Sequence, residues 1–338
     1  MDNMIRWGII GCGDVAEVKS GPGFQKADRS SLVAVMRRDR AMAEDFARRH
    51  GVERVHGRAE DLIADPHVDA VYVATPPSSH RELALAVAAA GKPCLVEKPM
   101  AMNHAECLEM VAAFHALALP LWVAYYRRAL PRFLKVRELL ADGAIGRLTA
   151  VHVHVTDRLA TGAAARAWRF NPEIAGAGPF LDLASHCFDL VDFLAGPVRA
   201  VSGFAVNSGG TYAAEDATAA AFQIGPDIVG TGVWNFNAGE KADRLVLTGS
   251  SGALTTPVFT DGDVIVSRSG GTDVLPIRNP PHVHQPLIQS IVDELGGRGR
   301  CGSTGESGAR ASWVMDQCVA RYYKKTGATG NPDRALCP

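Results

Sequence analysis

An aspartate and a histidine four residues apart are the first candidates for proton-transfer chemistry. Asp182 and His186 lie in a stretch that predicts a helix over Pro179–Leu194, so their side chains stack on one face of that helix. A carboxylate beside an imidazole orients the ring and favours its protonated form. Taken alone, such a pair is more often an ion pair on a solvated helix face. Asp189 continues the polar stripe, and an apolar stripe on the opposite side is expected to face the core: Leu183, Cys187, Leu190 and Leu194.

A single lysine is the second candidate. Lys98 follows the apolar run Cys94–Val96, which predicts a buried strand, so it should lie at the carboxyl edge of a sheet. Open α/β sheets bind their ligands at that edge. A partly desolvated ammonium there could bond a substrate oxygen and a cofactor ribose. The residues alone are equally compatible with a solvated loop lysine that pairs with Glu97.

A glycine-rich turn indicates a nucleotide site. Gly11-Cys12-Gly13-Asp14-Val15-Ala16 follows a predicted strand, Met4–Ile10, and opens a predicted helix, Asp14–Phe24. Gly11 permits the tight turn, Gly13 lets a pyrophosphate approach the backbone, and small Ala16 allows close packing of helix on strand. The helix N-terminus at Asp14 and Val15 then offers free N–H groups to the phosphates.

The residues after the second predicted strand bear on the choice of nucleotide. NAD sites usually carry an acidic residue there, to bond the ribose 2′-hydroxyl. Here the strand Ser31–Met36 runs into Arg37-Arg38-Asp39. A guanidinium can bond a 2′-phosphate through two charge-assisted hydrogen bonds. The sequence therefore favours NADP over NAD, with an arginine lying flat over the adenine as the alternative.

The elements around these residues predict two domains. Short apolar strands alternate with helical stretches over residues 1–123, which is typical of a Rossmann domain with a parallel sheet. Residues 124–338 contain longer, alternating strands with turn residues between them. They predict an α+β domain with a large, mostly antiparallel open sheet, expected to serve in substrate binding and oligomerisation. A helix is also predicted over Ala309–Lys324.

The composition narrows the class of protein. The 338 residues carry a formal net charge of −1, which gives no electrostatic reason to expect nucleic acid or a membrane surface as partner. No signal-peptide or membrane-spanning pattern opens the chain. Seven dispersed cysteines (12, 94, 107, 187, 301, 318 and 337) favour reduced thiols and hence the cytoplasm. The histidine pairs 152/154 and 282/284 lack a third ligand at suitable spacing, so no metal site is expected. His282 and His284 are interpreted as helix-capping or subunit-contact residues.

The chain resembles the Gfo/Idh/MocA oxidoreductases. The resemblance rests on the glycine turn, on Ala74-Thr75-Pro76-Pro77-Ser78-Ser79-His80, on Glu97-Lys98-Pro99, and on Gly176-Ala177-Gly178 leading to Asp182-Leu183-Ala184-Ser185-His186. The stretch Val123–Pro131 is similar to the family's entry into its second domain. Taken together, in this order and spacing, these motifs are highly specific.

The resemblance assigns roles to further residues. It implies cofactor contacts at Thr75, Pro76, His80, Glu97 and Lys98, and at the Trp168-Arg169 step, for which a packed surface aromatic is the alternative. It also implies a substrate contact at Tyr126, a position that is often asparagine in relatives, and a cis peptide before Pro99. The resemblance also implies that Lys98, Asp182 and His186 are the catalytic residues and that they contact the substrate.

The expected function is hydride transfer between a nicotinamide cofactor and a CH–OH or C=O group of a sugar, cyclitol or related polyol. His186 is the expected general acid/base, and Lys98 the residue that stabilises the alkoxide-like oxygen. Two alternatives stay open: a non-enzymatic dinucleotide sensor on the same fold, and a dehydrogenase of a non-sugar substrate such as a cyclic dihydrodiol. The family likeness also implies a homodimer or homotetramer that pairs through the second-domain sheet.

Overall fold

The computed structural model describes residues 4–326, so Cys337 and the end of the expected second domain lie outside the described residues. The chain divides into two compact units. The first unit comprises the described residues up to Ala101, together with Ala105–Leu130 and Pro280–Ala309. The second comprises Met102–His104, Pro131–Asn279 and the described residues from Arg310 onward. None of the described helices is both long and apolar enough to cross a lipid bilayer.

The first unit is built on a parallel sheet of six strands in the order β3-β2-β1-β4-β5-β6. The strands are β1 (Ile5–Ile10), β2 (Ser30–Met36), β3 (Arg54–His56), β4 (Ala70–Val73), β5 (Cys94–Val96) and β6 (Leu121–Val123). Its helices are α1 (Gly21–Lys26), α2 (Arg40–His50), α3 (Ala59–Ala64), α4 (His80–Ala89), α5 (His104–Ala116) and α9 (Gln285–Leu295). The Rossmann prediction is confirmed.

Three neighbouring strands of this sheet, up to the β6 edge, are buried along their length, as expected of parallel strands covered on both faces. β4, β5 and β6 are fully buried runs of three or four apolar residues. The carboxyl ends of β1, β4, β5 and β6 meet at one edge because these neighbouring strands all run parallel. This edge therefore gathers the glycine turn, Thr75, Lys98 and Tyr126.

The second unit contains an eight-stranded sheet in the order β14-β13-β12-β11-β7-β10-β9-β8. The strands are β7 (Leu148–Thr156), β8 (Val198–Val206), β9 (Ala217–Ile224), β10 (Ile228–Asn235), β11 (Ala242–Gly249), β12 (Gly252–Thr256), β13 (Val264–Arg268) and β14 (Gly271–Leu275). Within residues 4–326, β7 and β10 pair in parallel, and the other neighbouring strands of this sheet pair antiparallel. The predicted large, mostly antiparallel sheet is thus confirmed. The helices α6 (Pro131–Ala141), α7 (Pro172–Ala175), α8 (Pro179–Ala195) and α10 (Gly305–Thr326) complete the described elements.

Helix α8, which carries Asp182 and His186, is more enclosed than its sequence pattern predicts. Asp189 was expected on a polar outer stripe, but it is completely buried, whereas Leu194 is only half-buried. The prediction of two separate faces is wrong here, because both His186 and Asp189 of the expected polar stripe are buried. The ring centroids of Phe180 and Phe188 lie 5.2 and 5.1 Å from that of Trp234 on β10.

Candidate cofactor and active-site residues

The glycine turn after β1 has the geometry that a bound pyrophosphate requires. Gly11 has a φ of +93°, and a Cβ there would lie 2.9 Å from the carbonyl oxygen of Ala74. A Cβ on Gly13, by contrast, would meet no protein atom within 4 Å. The space that Gly13 leaves empty is therefore not needed for packing, and it suits the close approach of a ligand to the backbone. Helical backbone follows directly from Asp14.

The helix after this turn differs from a regular α-helix. Residues Ala16–Ser20 form a π-helical turn, and α-helix resumes at Gly21. Gly21 fits here because a Cβ would lie 2.5 Å from the carbonyl oxygen of Ala16. Single π-turns inside helices are frequent at functional sites. This one places Lys19 with its Nζ 5.7 Å from the ring centroid of Tyr126.

The three charged residues after β2 take distinct positions. The half-buried Arg37 donates from Nη1 to the carbonyl oxygen of Cys12, at 3.3 Å, and Arg38 is exposed. Asp39 caps α2 by accepting from the backbone N–H of Met42 at 3.2 Å. The Asp39 carboxylate at this sheet edge is therefore hydrogen-bonded to the N-terminus of α2.

His80 has a position different from the one we predicted. Its side chain is completely buried and burial lowers its pKa. Its Nε2 lies 2.6 Å from the carbonyl oxygen of Thr75, and its Nδ1 3.1 Å from that of Pro99. Because the ring is enclosed, direct contact with a cofactor does not fit. His80 instead ties the loop after β4 to the loop after β5.

The loop after β5 contains Lys98 between two buried neighbours. The Lys98–Pro99 peptide is cis, as the family resemblance implied. Glu97 is 7% exposed, accepts a 2.5 Å hydrogen bond from the hydroxyl of Tyr72, and accepts the backbone N–H of Lys98 at 2.9 Å. Burial raises the pKa of Glu97, against the opposing positive charges of Lys98 and Lys19. Lys98 itself is half-buried at the sheet edge.

Tyr126 anchors a group of residues that sequence reasoning largely missed. The Cζ of Arg127 lies 4.8 Å from the centroid of the Tyr126 ring, and the His284 ring packs against it at a tilt of 32°, with the centroids 4.5 Å apart. His284 stands at the N-cap position of α9, but its side chain caps no backbone N–H, so the capping interpretation is wrong. It is buried, and desolvation together with Lys19, Arg127 and Lys98 lowers its pKa to about 3.

The second unit holds the other catalytic candidates. On α8, His186 is 3% exposed and its ring lies 6.1 Å from that of Phe259, edge to face. Asp182 is half-buried, and its Oδ2 lies 3.6 Å from the Nε of Arg169. Arg169 in turn stacks over Trp168, with 4.4 Å between its Cζ and the ring centroid. The Trp168-Arg169 step therefore contacts Asp182 through its arginine.

A buried glutamate fixes the start of α8. Both oxygens of Glu215 accept the backbone N–H of Gly178, at 2.9 and 3.1 Å, and one accepts the hydroxyl of Tyr323 at 2.5 Å. Glu215 is completely buried. Gly178 fits because a Cβ there would lie 2.7 Å from the carbonyl oxygen of Glu215. The sequence signal was the Glu215-Asp216 pair ahead of an alternating strand, which we did not single out.

Comparisons with known proteins are in line with this geometry. The family model "Oxidoreductase family, NAD-binding Rossmann fold" matches residues 5–125, and the model "GFO/IDH/MocA C-terminal domain" matches residues 133–255. "Oxidoreductase P35" of Formosa agariphila is 38% identical over 94% of this chain and 98% of its own. "1,5-anhydro-D-fructose reductase" of Ensifer adhaerens is 28% identical over 97% of both chains.

A solved structure shares the fold. Levoglucosan dehydrogenase in complex with NADH and levoglucosan superposes with a TM-score of 0.84, at 22% identity, over 95% of this chain and 98% of that one. At this identity the likeness supports the order and topology of the elements.

Proposed function

Because the chain belongs to the GFO/IDH/MocA oxidoreductase family, with its NAD-binding Rossmann fold, we propose that it interconverts a CH–OH and a C=O group of a sugar, cyclitol or related polyol. The observation that carries the proposal is the pairing of an open glycine turn at Gly13 with Lys98 at the same edge of the sheet. The names of the reductase and the levoglucosan dehydrogenase support a sugar-like substrate.

The proposed cofactor is a nicotinamide dinucleotide, which when bound supplies the two-electron hydride acceptor or donor. Gly11, Gly13 and the helical turn from Asp14 through Val15 to Ala16 would hold its pyrophosphate. Thr75, Pro76 and Lys98 belong to the loops that would line its nicotinamide half, with Glu97 and His80 fixing those loops from within. We keep Trp168 and Arg169 as proposed cofactor contacts from the second unit.

Three residues are proposed to act on the substrate. Oxidation removes a hydride from the carbinol carbon and a proton from its hydroxyl. His186 takes that proton as general base, and Asp182 orients His186 or binds a neighbouring hydroxyl. The Lys98 ammonium stabilises the negative charge that develops on the oxygen. Tyr126 contacts the substrate, and reduction uses the same groups in the opposite direction.

NADP is the proposed cofactor in preference to NAD. Arg37 and Arg38 follow β2, where a 2′-phosphate would bind, and the Asp39 carboxylate accepts the backbone N–H of Met42 at the start of α2. Two arginines beside a carboxylate that already caps a helix suit a phosphate better than a hydroxyl.

We also propose that the protein is a homodimer or homotetramer that pairs through the sheet of the second unit. Phe204, Ala219 and Val233 form one exposed row across β8, β9 and β10, and Phe204 is 67% exposed. An apolar row of this kind is typical of an interface. The cytoplasm is the proposed compartment, because the six described cysteines are all free thiols.

A substrate screen tests the proposed function. Polyols, ketoses and a cyclic dihydrodiol are supplied singly with NAD, NADP or their reduced forms, and the nicotinamide absorbance band is followed. We expect turnover of at least one sugar-like compound, and faster turnover with NADP than with NAD. Tight cofactor binding without any turnover across the panel would favour a dinucleotide sensor, and exclusive turnover of the dihydrodiol would overturn the sugar assignment.

A further inference from the structure

An aromatic side chain packs against the proposed acid/base residue in the second unit. The rings of Phe259 and His186 meet edge to face, with 73° between their planes and 6.1 Å between their centroids. Edge-to-face contact at about 4.5–7 Å is a preferred arrangement of aromatic rings. His186 is 3% exposed and Phe259 is half-buried. Phe259 therefore forms part of the enclosure around the imidazole.

The helix that carries His186 does not by itself fix the orientation of its ring. A side chain on an α-helix can take two χ1 values, and the χ2 of a histidine has a broad distribution. The nitrogen that exchanges a proton can therefore lie in several places for one position of the backbone. A packed neighbour reduces these choices, because interior side chains interlock closely. The contact with Phe259 is suited to hold the imidazole in one orientation.

The loop that carries Phe259, residues 257–263, is held by a single carboxylate. This loop joins β12 to β13. Asp243 on β11 accepts the backbone N–H groups of three consecutive residues: Val258, Phe259 and Thr260, at 2.7, 2.8 and 2.8 Å. It also accepts the hydroxyl of Thr260 at 3.0 Å. Because hydrogen bonds to a charged acceptor are strong, the backbone of Phe259 is fixed at its own N–H and at both neighbours.

A buried arginine adds a second set of bonds to the same loop. Arg132 on α6 is 1% exposed, and its Nη1 donates to the carbonyl oxygens of Thr260 and Gly262, at 2.9 and 3.0 Å. Gly262 lies close to the start of the loop, since a Cβ there would be 2.7 Å from the Cγ of Pro257. Connecting loops are usually more mobile than the strands they join. This loop is instead held through its N–H groups and its carbonyl groups alike.

We infer that Phe259 is a positioning residue for His186, and that Asp243 contributes to the reaction by holding Phe259 in place. The inference rests on the proposed function, in which His186 is the general acid/base. Proton transfer requires the imidazole nitrogen within hydrogen-bond reach of the substrate hydroxyl. A displacement of about 1 Å can lower a reaction rate about a hundredfold. The three residues all belong to the second unit.

A purely structural role of the loop has a different consequence. Loss of the loop contacts would then lower the free energy of unfolding, and the protein that remains folded would react at the wild-type rate. The rate of hydride transfer, measured in a single turnover on folded protein, separates the two roles. The KM of the substrate and the Kd of the cofactor show whether the loss lies in binding or in the reaction.

The comparison uses wild type, Phe259→Ala, Phe259→Met and Phe193→Ala, with a substrate from the screen. Phe193 is half-buried on the same helix as His186, against Arg137, and serves as the control. We expect Phe259→Ala to slow hydride transfer at least about tenfold, while KM and the cofactor Kd stay within about threefold of wild type. Phe259→Met should keep most of the rate because it restores apolar volume, and Phe193→Ala should react like wild type.

Asp243→Asn tests whether the carboxylate acts through Phe259. An amide offers one acceptor oxygen in place of two, so we expect hydride transfer to slow here as well. The double variant with Phe259→Ala should be no slower than the slower single variant, within about twofold, because the two changes remove one shared effect. Asp261→Asn is the matched control: this exposed residue of the same loop keeps an acceptor for Asn279 and should react like wild type. Additive losses in the double variant would overturn the action through Phe259.

Nuclear magnetic resonance of protein with ¹³C-labelled histidine provides a readout that needs no turnover. The His186 signal is identified by its absence in His186→Asn. We expect one sharp Cε1–Hε1 signal in wild type and Phe193→Ala, and a broadened or doubled signal in Phe259→Ala. If no compound is turned over and this pattern is observed, the proposed function fails and the positioning of His186 by Phe259 stands. An unchanged His186 signal, hydride transfer within about twofold of wild type in Phe259→Ala, an equal loss in Phe193→Ala, or a rise in KM alone would each overturn the inference.

Discussion

Replacing Gly13 with alanine should separate cofactor binding from folding. The added Cβ meets no protein atom within 4 Å, and the φ of Gly13 lies outside the left-handed region. A compatible glycine-to-alanine change alters the free energy of unfolding by only about 0.4–1 kcal/mol, mostly through the unfolded chain. The bound pyrophosphate is expected to fill the same space. We therefore expect the Kd of the cofactor to rise at least about tenfold, which is about 1.4 kcal/mol of binding free energy.

The matched variant is Gly11→Ala. Its φ of +93° and a distance of 2.9 Å from the new Cβ to the Ala74 oxygen should cost stability in the protein without cofactor. Positive φ alone costs a residue with a side chain about 1–3 kcal/mol. Urea denaturation without cofactor, and fluorescence titration with NADH and NADPH, measure the two effects. Unchanged cofactor affinity in Gly13→Ala would refute the placement of the pyrophosphate at this turn.

Three further predictions concern a buried glutamate, a buried histidine and the exposed row of the second-unit sheet. Glu215→Leu removes the acceptor of the buried Gly178 N–H and of the Tyr323 hydroxyl, so urea denaturation should show a loss of about 2–4 kcal/mol in the free energy of unfolding. A loss below about 1 kcal/mol would contradict this. His284 has a folded pKa of about 3 against about 6.5 when unfolded, so the unfolded chain binds the proton first and stability falls as the pH drops below about 6.5. By pH 5 the free energy of unfolding should have fallen by about 2 kcal/mol for this reason, and His284→Gln should not show this fall. Equal pH profiles of stability for wild type and His284→Gln would contradict the prediction. Phe204→Asp places a charge in the exposed row of the second-unit sheet and should lower the mass measured by light scattering, and an unchanged assembly would exclude that row as the interface.

The sequence predicts the parts of the fold that depend on local pattern. Buried runs such as Ala70–Val73 predict central parallel strands because their sequence is apolar without alternation. The strands β12 to β14 were not predicted, since they are short and β14 is mostly exposed. The short strand β3 and helix α3 were missed for the same reason.

The sequence likewise predicts only some residues of the candidate site. Gly11, Gly13 and Lys98 could be singled out because each lies directly after a predicted strand. His284 and Glu215 could not, because their roles come from contacts with residues 158 and 108 positions away, respectively, at Tyr126 and Tyr323. His80 was assigned to the cofactor by family likeness, and its burial changes that role to one of joining loops.

We propose that this protein transfers a hydride with His186 as its general acid/base and Lys98 as the group that stabilises the negative charge on the substrate oxygen. The measurement that tests it most directly is single-turnover kinetics of Lys98→Met and His186→Asn with a substrate found in the screen, alongside cofactor titration of the same variants. We expect the rate of hydride transfer to fall at least about a hundredfold in each variant, while His186→Asn retains wild-type cofactor affinity. Hydride transfer within about twofold of wild type in either variant, with intact folding, would contradict the account.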